Sequence, residues 1–250
     1  MRSYLCRSHF RSLLSLPKPE RKKFIQKALK KHLNSRQLQK AIAAQRAGQK
    51  VLHIPTDGQI PRLKFERGKL FTCKVITPPS LQAGEGYKFI DQGFDAWQKV
   101  PVADLSKFED GTIVESVKVK DRYKIKSSER AAKDLYTFKA VVERVVDGDT
   151  LLVHVDCGFD HWRREYLRFR GIDCPELSTP DGQKVKRFIE SRLKPNDFVI
   201  IKTHKDDKYG RYLVDVFYLM GETNGDKVAA EGKYLNQELL DNRLALEMKS

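Results

Sequence analysis

The chain has 250 residues, with 48 Lys and Arg against 33 Asp and Glu, giving a formal net charge of +15. At 40% hydrophobic and 32% charged residues it has the composition of a soluble globular chain of one large or two small domains, which excludes wholesale disorder. No run approaches the ~18 apolar residues of a membrane span, and Arg7, His9 and Arg11 interrupt the start, which lacks the apolar stretch of a secretion signal. Cys6, Cys73, Cys157 and Cys174 have neither zinc-ligand nor disulfide-framework spacing. A reducing cytoplasmic setting is expected, with no membrane partner.

The charge is uneven. Residues 1–50 hold 14 Lys and Arg and one acid, Glu20, whereas the remainder holds 34 basic and 32 acidic residues. A basic arm on a near-neutral body points to a polyanion such as nucleic acid, because Lys and Arg displace counterions from phosphates. The arm reads as helical. Pro19 to Lys31 carries Phe24, Ala28 and Leu29 at helical spacing, and Asn34 with Gln37 forms a cap pair. A second helix over Ser35 to Ala47 then stops at Gly48. The pair resembles a helix-turn-helix, with a plain amphipathic hairpin as the alternative.

From Lys50 to about Lys126, short alternating runs at Leu70–Ile76, Tyr87–Ile90 and Thr112–Val119 are separated by Pro and Gly turns. Ser127 to Lys133 is a polar join. Beyond it, strands are expected at Tyr136–Val146, Thr150–Val155, Arg164–Arg170, Phe198–Lys202 and Arg211–Leu219. Helices are expected at Gln183–Leu193 and Asn236–Met248. That order describes a small Greek-key barrel of the OB type. The expected fold class is α+β, mainly β, with a basic helical segment over 1–49, a degenerate OB-like β domain over 50–130 and a complete barrel over 131–250.

The middle block looks like a worn copy of the barrel. Leu70-Phe71-Thr72-Cys73-Lys74 matches Leu135-Tyr136-Thr137-Phe138-Lys139, and Asp91-Gln92-Gly93-Phe94 matches Asp156-Cys157-Gly158-Phe159, both 65 residues apart. Asp121-Arg122-Tyr123 lines up with Asp207-Lys208-Tyr209 at 86. On that alignment Asp149, Arg168 and Arg211 stand opposite Gly84, Ala103 and Ile125. The middle copy is therefore expected to be non-catalytic.

Four short motifs carry the chemistry: Asp147-Gly148-Asp149-Thr150, Arg168 on the third barrel strand, Asp173-Cys174-Pro175-Glu176, and Asp207-Lys208-Tyr209-Gly210-Arg211. Each alone is an ordinary turn or strand residue. In order and spacing they resemble the active site of the staphylococcal nuclease family, over about 110 residues. The resemblance implies hydrolysis of DNA and/or RNA phosphodiester bonds by an endonuclease-type hydrolase. By the same resemblance Asp149, Asp173 and the Cys174 carbonyl are metal ligands. Oxygen-only donors favour Ca²⁺ or Mg²⁺ over zinc, and the family implies Ca²⁺. Glu176 is the implied general base, Arg168 and Arg211 the phosphate grip, and Lys208 and Tyr209 the substrate contacts. Asp147 supports the metal loop from behind.

Two departures stand out. Cys174 replaces the family's usual Thr and brings a thiol whose oxidation could matter. No aromatic residue follows Leu244 to stack a nucleotide. His161 and His204 receive no role. The competing readings are a nucleic-acid-binding protein built on a retired nuclease barrel and a structural subunit docking through its arm. The full set of charged positions in the third block favours the enzyme.

Overall fold

A computed structural model describes residues 13, 18–30, 38–39, 42, 54–55, 57–78, 87–100, 104, 106–206 and 211–248. Helix α1 (Lys18–Lys30) buries Phe24 and Ala28, one turn apart on the same face, in a small apolar cluster with Leu13, Leu38 and Ile42. Apart from Leu38, Gln39 and Ile42, which are helical, the expected second helix and its Asn34 cap lie outside the described residues.

Strands β1 (Thr72–Ile76), β2 (Phe89–Asp91), β3 (Trp97–Lys99), β4 (Ile113–Val119) and β5 (Arg122–Ser127) form an antiparallel sheet in the order β3-β2-β1-β4-β5. Cys73, Val75, Ile90, Val100, Phe108 and Val114 make its core. The second module closes. Strands β6 (Thr137–Asp147), β7 (Thr150–Asp156), β8 (Trp162–Phe169), β10 (Phe198–Asp206) and β11 (Tyr212–Tyr218) run β10-β6-β7-β8-β11, and β10 pairs again with β11. The β8–β11 contact is parallel and the other barrel pairings are antiparallel. This is a mainly β, five-stranded OB barrel. Its two-residue periodicity turns Phe138, Ala140, Val142, Leu151, Val153, Val155, Leu167 and Phe169 inward.

Helix α2 (Pro180–Arg192) packs on β6 and buries Val185 and Ile189. Pro180 begins it, and the Thr179 side chain caps it by accepting the Gly182 N–H at 3.0 Å. Helix α3 (Gly225–Glu231), capped by Asn224, leads through β12 (Lys233–Tyr234) into helix α4 (Leu235–Asp241). The last helix is shorter than the expected Asn236–Met248. It ends at Asp241, Arg243 turns to a φ of 53°, and strand β13 (Leu246–Glu247) pairs with β9 (Ile172–Asp173). Leu244 and Ala245 are buried through that turn rather than on a helical face.

The repeat is visible in the pairing register. Lys74 faces Asp91, and Asp91 faces Trp97; 65 residues later Lys139 faces Asp156, and Asp156 faces Trp162. Both turns have the same construction. Gly93 N–H donates to Asp91 and Gly158 N–H to Asp156, each at 2.9 Å, and Phe94 and Phe159 both have positive φ. The expected alignment of the later strands needs correction. Ser116 N–H donates to the Phe71 carbonyl and Thr203 N–H to the Tyr136 carbonyl, so these positions correspond 87 residues apart rather than 86. Ser116 pairs with Ile125 and Thr203 with Val214, which places Arg122-Tyr123 opposite Arg211-Tyr212. The counterpart of Arg211 is therefore Arg122, not Ile125; the shift at Ser116 and Thr203, the bulge between Thr203 and Asp206 and a longer β10–β11 connection all contribute. Gly84 and Ala103 lie outside the described residues.

The two modules exchange equivalent side chains. Phe94 enters the barrel core, with ring centroids 5.1 Å from Phe138 and 4.5 Å from Tyr212. In return Phe159 packs on the middle sheet's core, 4.9 Å from Tyr123. Buried Gln92 donates to the Cys157 and Gly158 carbonyls, and the Tyr136 hydroxyl donates to Asp91 at 2.8 Å.

Candidate active site

The site is built around the turn between β6 and β7. Asp147, Thr150 and Arg168 form one cross-strand row, and the Gly148-Asp149 turn closes the β6–β7 end of that row. The Asp149 carbonyl accepts the Phe169 N–H at 2.8 Å, while the Asp147 carboxylate accepts the Asp149 N–H at 3.2 Å. The turn lies directly against the Asp173–Glu176 segment. A Cβ added at Gly148 would sit 2.7 Å from the Cys174 Cβ, and the Cys174 thiol donates to the Gly148 carbonyl at 3.0 Å. Glycine is required there by close approach. Gly182 has the same role on the other side, where a Cβ would collide with the Glu176 carbonyl.

Arg168 joins the two halves. Its guanidinium bonds Asp149 Oδ1 at 2.5 Å and Asp173 Oδ1 at 2.8 Å, with only 13% of its side chain exposed. Asp149 is nearly buried; it also accepts the Thr150 hydroxyl at 3.1 Å and the Cys174 N–H at 3.2 Å. Burial pushes the Asp149 carboxyl up to about 7, with neighbouring Asp147 and Asp173 adding to the rise while Arg168 and the Cys174 N–H oppose it. Burial works against the Arg168 charge, yet Asp149, Asp173 and Asp147 together hold its pKa above the ordinary value. Burial also raises the Cys174 thiol well above its usual range. A thiolate is the reactive form, so this burial works against oxidation of the side chain.

Glu176 lies exposed between β9 and α2, its carbonyl accepting the Thr179 N–H and hydroxyl at 2.9 and 2.7 Å. Arg211 is half-buried one residue before Tyr212, which pairs with Leu167, so it enters on the strand beside that of Arg168. Lys208 and Tyr209 lie outside the described residues.

Residues 166–250, which contain Arg168, Asp173, Glu176 and Arg211, match the family model described as a staphylococcal nuclease homologue. The C-terminal domain belongs to the staphylococcal nuclease family. Over 104 residues the chain is 34% identical to a thermonuclease of Staphylococcus hyicus, covering 38% of this chain and 56% of that protein. It is also 27% identical over 186 residues to an uncharacterized 38.1 kDa protein of Capnoides sempervirens, covering 68% of this chain and 51% of that one. An uncharacterized protein of Methanocaldococcus jannaschii is 34% identical over 101 residues, covering 30% of this chain and 46% of its own. The chain spans about half the length of these curated relatives.

A Ca²⁺ ion, which the family resemblance implies, would meet oxygen donors in this domain. Asp149 and Asp173 bond the two terminal nitrogens of one guanidinium, with the Cys174 main chain bonded to Asp149. The available donors are hard oxygens. Among the described residues no three His, Cys, Asp or Glu side chains converge as a metal cluster, so main-chain, water or substrate oxygens would complete the shell.

One cluster in the nuclease domain escaped sequence reading. Asp215, fully buried on β11, accepts Arg170 Nε and Nη2 at 2.9 and 3.0 Å, Tyr234 Oη at 2.6 Å and His204 Nε2 at 2.9 Å. Arg170 also donates to the Lys64 carbonyl at 2.5 Å, tying the extended segment before β1 to the barrel. Buried Asn236 links the Arg170 and Val214 carbonyls to the Val216 N–H. The only local sign in the sequence is Asp215, the one charged residue in the otherwise apolar strand β11. His204, left without a role above, is a partner of this buried carboxylate.

Proposed function

We propose that the chain is a Ca²⁺-dependent nuclease that hydrolyses phosphodiester bonds in DNA, RNA or both. The observation that carries this reading is the Asp149–Arg168–Asp173 arrangement, two carboxylates and a planar cation held at one end of the barrel. Bound Ca²⁺, held by Asp149, Asp173 and the Cys174 carbonyl, would supply positive charge against the phosphoryl oxygens. The remaining work falls to the protein's own groups. Glu176 accepts a proton from the attacking water, for which its exposed position leaves room. Arg168, paired with both carboxylates, would exchange those bonds for phosphate oxygens when substrate arrives. Its rigid fork matches them two at a time and stabilises the charge that grows in the transition state. Arg211 contributes a second guanidinium from the neighbouring strand. Lys208 and Tyr209 are the proposed contacts to the substrate's phosphate and sugar.

The test is cleavage of end-labelled single-stranded DNA and RNA with Ca²⁺, with Mg²⁺ and with chelator. Calcium-dependent cleavage of either substrate is expected. Binding without cleavage under every condition would make the domain a recognition barrel.

A further inference from the structure

We infer that the middle module carries its own binding site for single-stranded nucleic acid, on the outer face of β1, β2 and β3. The register places two rows on this face: Ile76, Phe89 and Lys99, then Lys74, Asp91 and Trp97. The opposite face holds the buried Val75 and Ile90, with Val100 just past the strand end, whereas Gln98 and the rest of the edge strand β3 are exposed. Trp97 is 49% exposed, with its ring centroid 6.2 Å from that of Phe89. Lys99 Nζ lies 3.5 Å from the centroid of the Tyr87 ring. Asp91, the acid in these rows, is already bonded by the Gly93 N–H and the Tyr136 hydroxyl. The face therefore presents adjacent aromatic rings flanked by Lys74 and Lys99. That is the chemistry that stacks unpaired bases and neutralises their phosphates.

The C-terminal barrel repeats the exposed Trp, although His154 stands at the Phe89 position and Arg164 is bonded to Glu143. Its Lys139, Asp156 and Trp162 form the same row, Arg164 stands where the middle module has Lys99, and Trp162 is 50% exposed. Leaving an indole half in water forgoes burial that would stabilise either fold, so packing alone does not account for the pair. A duplex keeps its bases stacked internally, whereas a single strand can offer them to these rings. The occupant is therefore single-stranded nucleic acid.

The site shares only its ligand class with the proposed nuclease reaction, and its test needs no turnover. The chain has two tryptophans, so the full-length Trp162→Phe protein reports from Trp97 alone. In chelator, a short oligothymidylate should change Trp97 emission saturably, and a duplex of the same length should do so far more weakly. Trp97→Ala should weaken single-strand binding about tenfold and Trp97→Phe should largely restore it, as stacking requires. Lys74→Glu with Lys99→Glu should weaken it at least as much. Oligonucleotide binding seen by anisotropy with Trp97 emission unchanged, or no binding at all, would overturn the inference. Loss of cleavage with the Trp97 signal intact would count against the nuclease and leave this site standing.

Discussion

Replacing Asp215 with Asn removes the charge at the centre of the buried network while keeping its shape. The wild-type carboxylate is fully buried and receives two bonds from Arg170 and one each from Tyr234 and His204. An amide has one acceptor oxygen and an NH₂ donor, so at least one donor would meet another donor. Breaking a buried ion pair from one side costs about 3–5 kcal/mol. For a chain of this size that corresponds to a fall in Tm of roughly 6–20 °C. The pH dependence has a definite sign. Burial alone would raise the Asp215 carboxyl, but the bonds from His204, Arg170 and Tyr234 outweigh it and hold the pKa below the ordinary value. Asp215 therefore stabilises the fold above its unfolded pKa of about 4, and that contribution is lost as pH falls through the lower folded value. Thermal unfolding followed by near-ultraviolet circular dichroism should show a wide gap between wild type and variant at neutral pH, narrowing in strong acid. A variant that melts with wild type at pH 7, or a gap that does not change with pH, would refute the assignment.

Phe94→Ala should destabilise the nuclease barrel by about 3–5 kcal/mol, although Phe94 belongs to the other module, because it leaves a cavity beside Phe138 and Tyr212. Denaturant unfolding should show it, and an unchanged midpoint would mean the modules are energetically separate. Cys174 should resist alkylation in the native protein and react once unfolded, since burial suppresses its thiolate; rapid native labelling, mapped by mass spectrometry, would contradict this. Deleting residues 1–48 should weaken nucleic-acid binding and flatten its salt dependence while sparing cleavage of short substrates. An unaltered salt slope would remove the arm from the interface.

The barrel was legible because its strands alternate and its turns contain Gly and Asp. Asp147-Gly148-Asp149 and Asp156–Trp162 both close hairpins where the sequence places them. The parts that were not legible depend on distant partners. Arg170 and Asp215 are 45 residues apart and come together only because β8 and β11 pair in parallel, which no local pattern announces. Leu239, Leu240 and Leu244 suggested one continuous helix, yet Leu244 is buried by a turn and a strand that pairs with Ile172–Asp173. The repeat was read correctly where the two copies have equal turns. From β4 and β10 onward the offset changes, and only the ladder shows that Arg122 answers Arg211. At the candidate site, sequence supplied the residue types. The structure added that Arg168 bonds both Asp149 and Asp173 and that Gly148 and Gly182 permit the close approach around them.

The most direct test of the central claim compares calcium-dependent cleavage of single-stranded DNA and RNA by the wild-type chain and by Glu176→Gln, with calcium and oligonucleotide binding measured on both. The account predicts that the variant loses most turnover while binding calcium and nucleic acid as wild type does. Equal turnover in the two proteins, or no cleavage by the wild type with bound calcium, would contradict it.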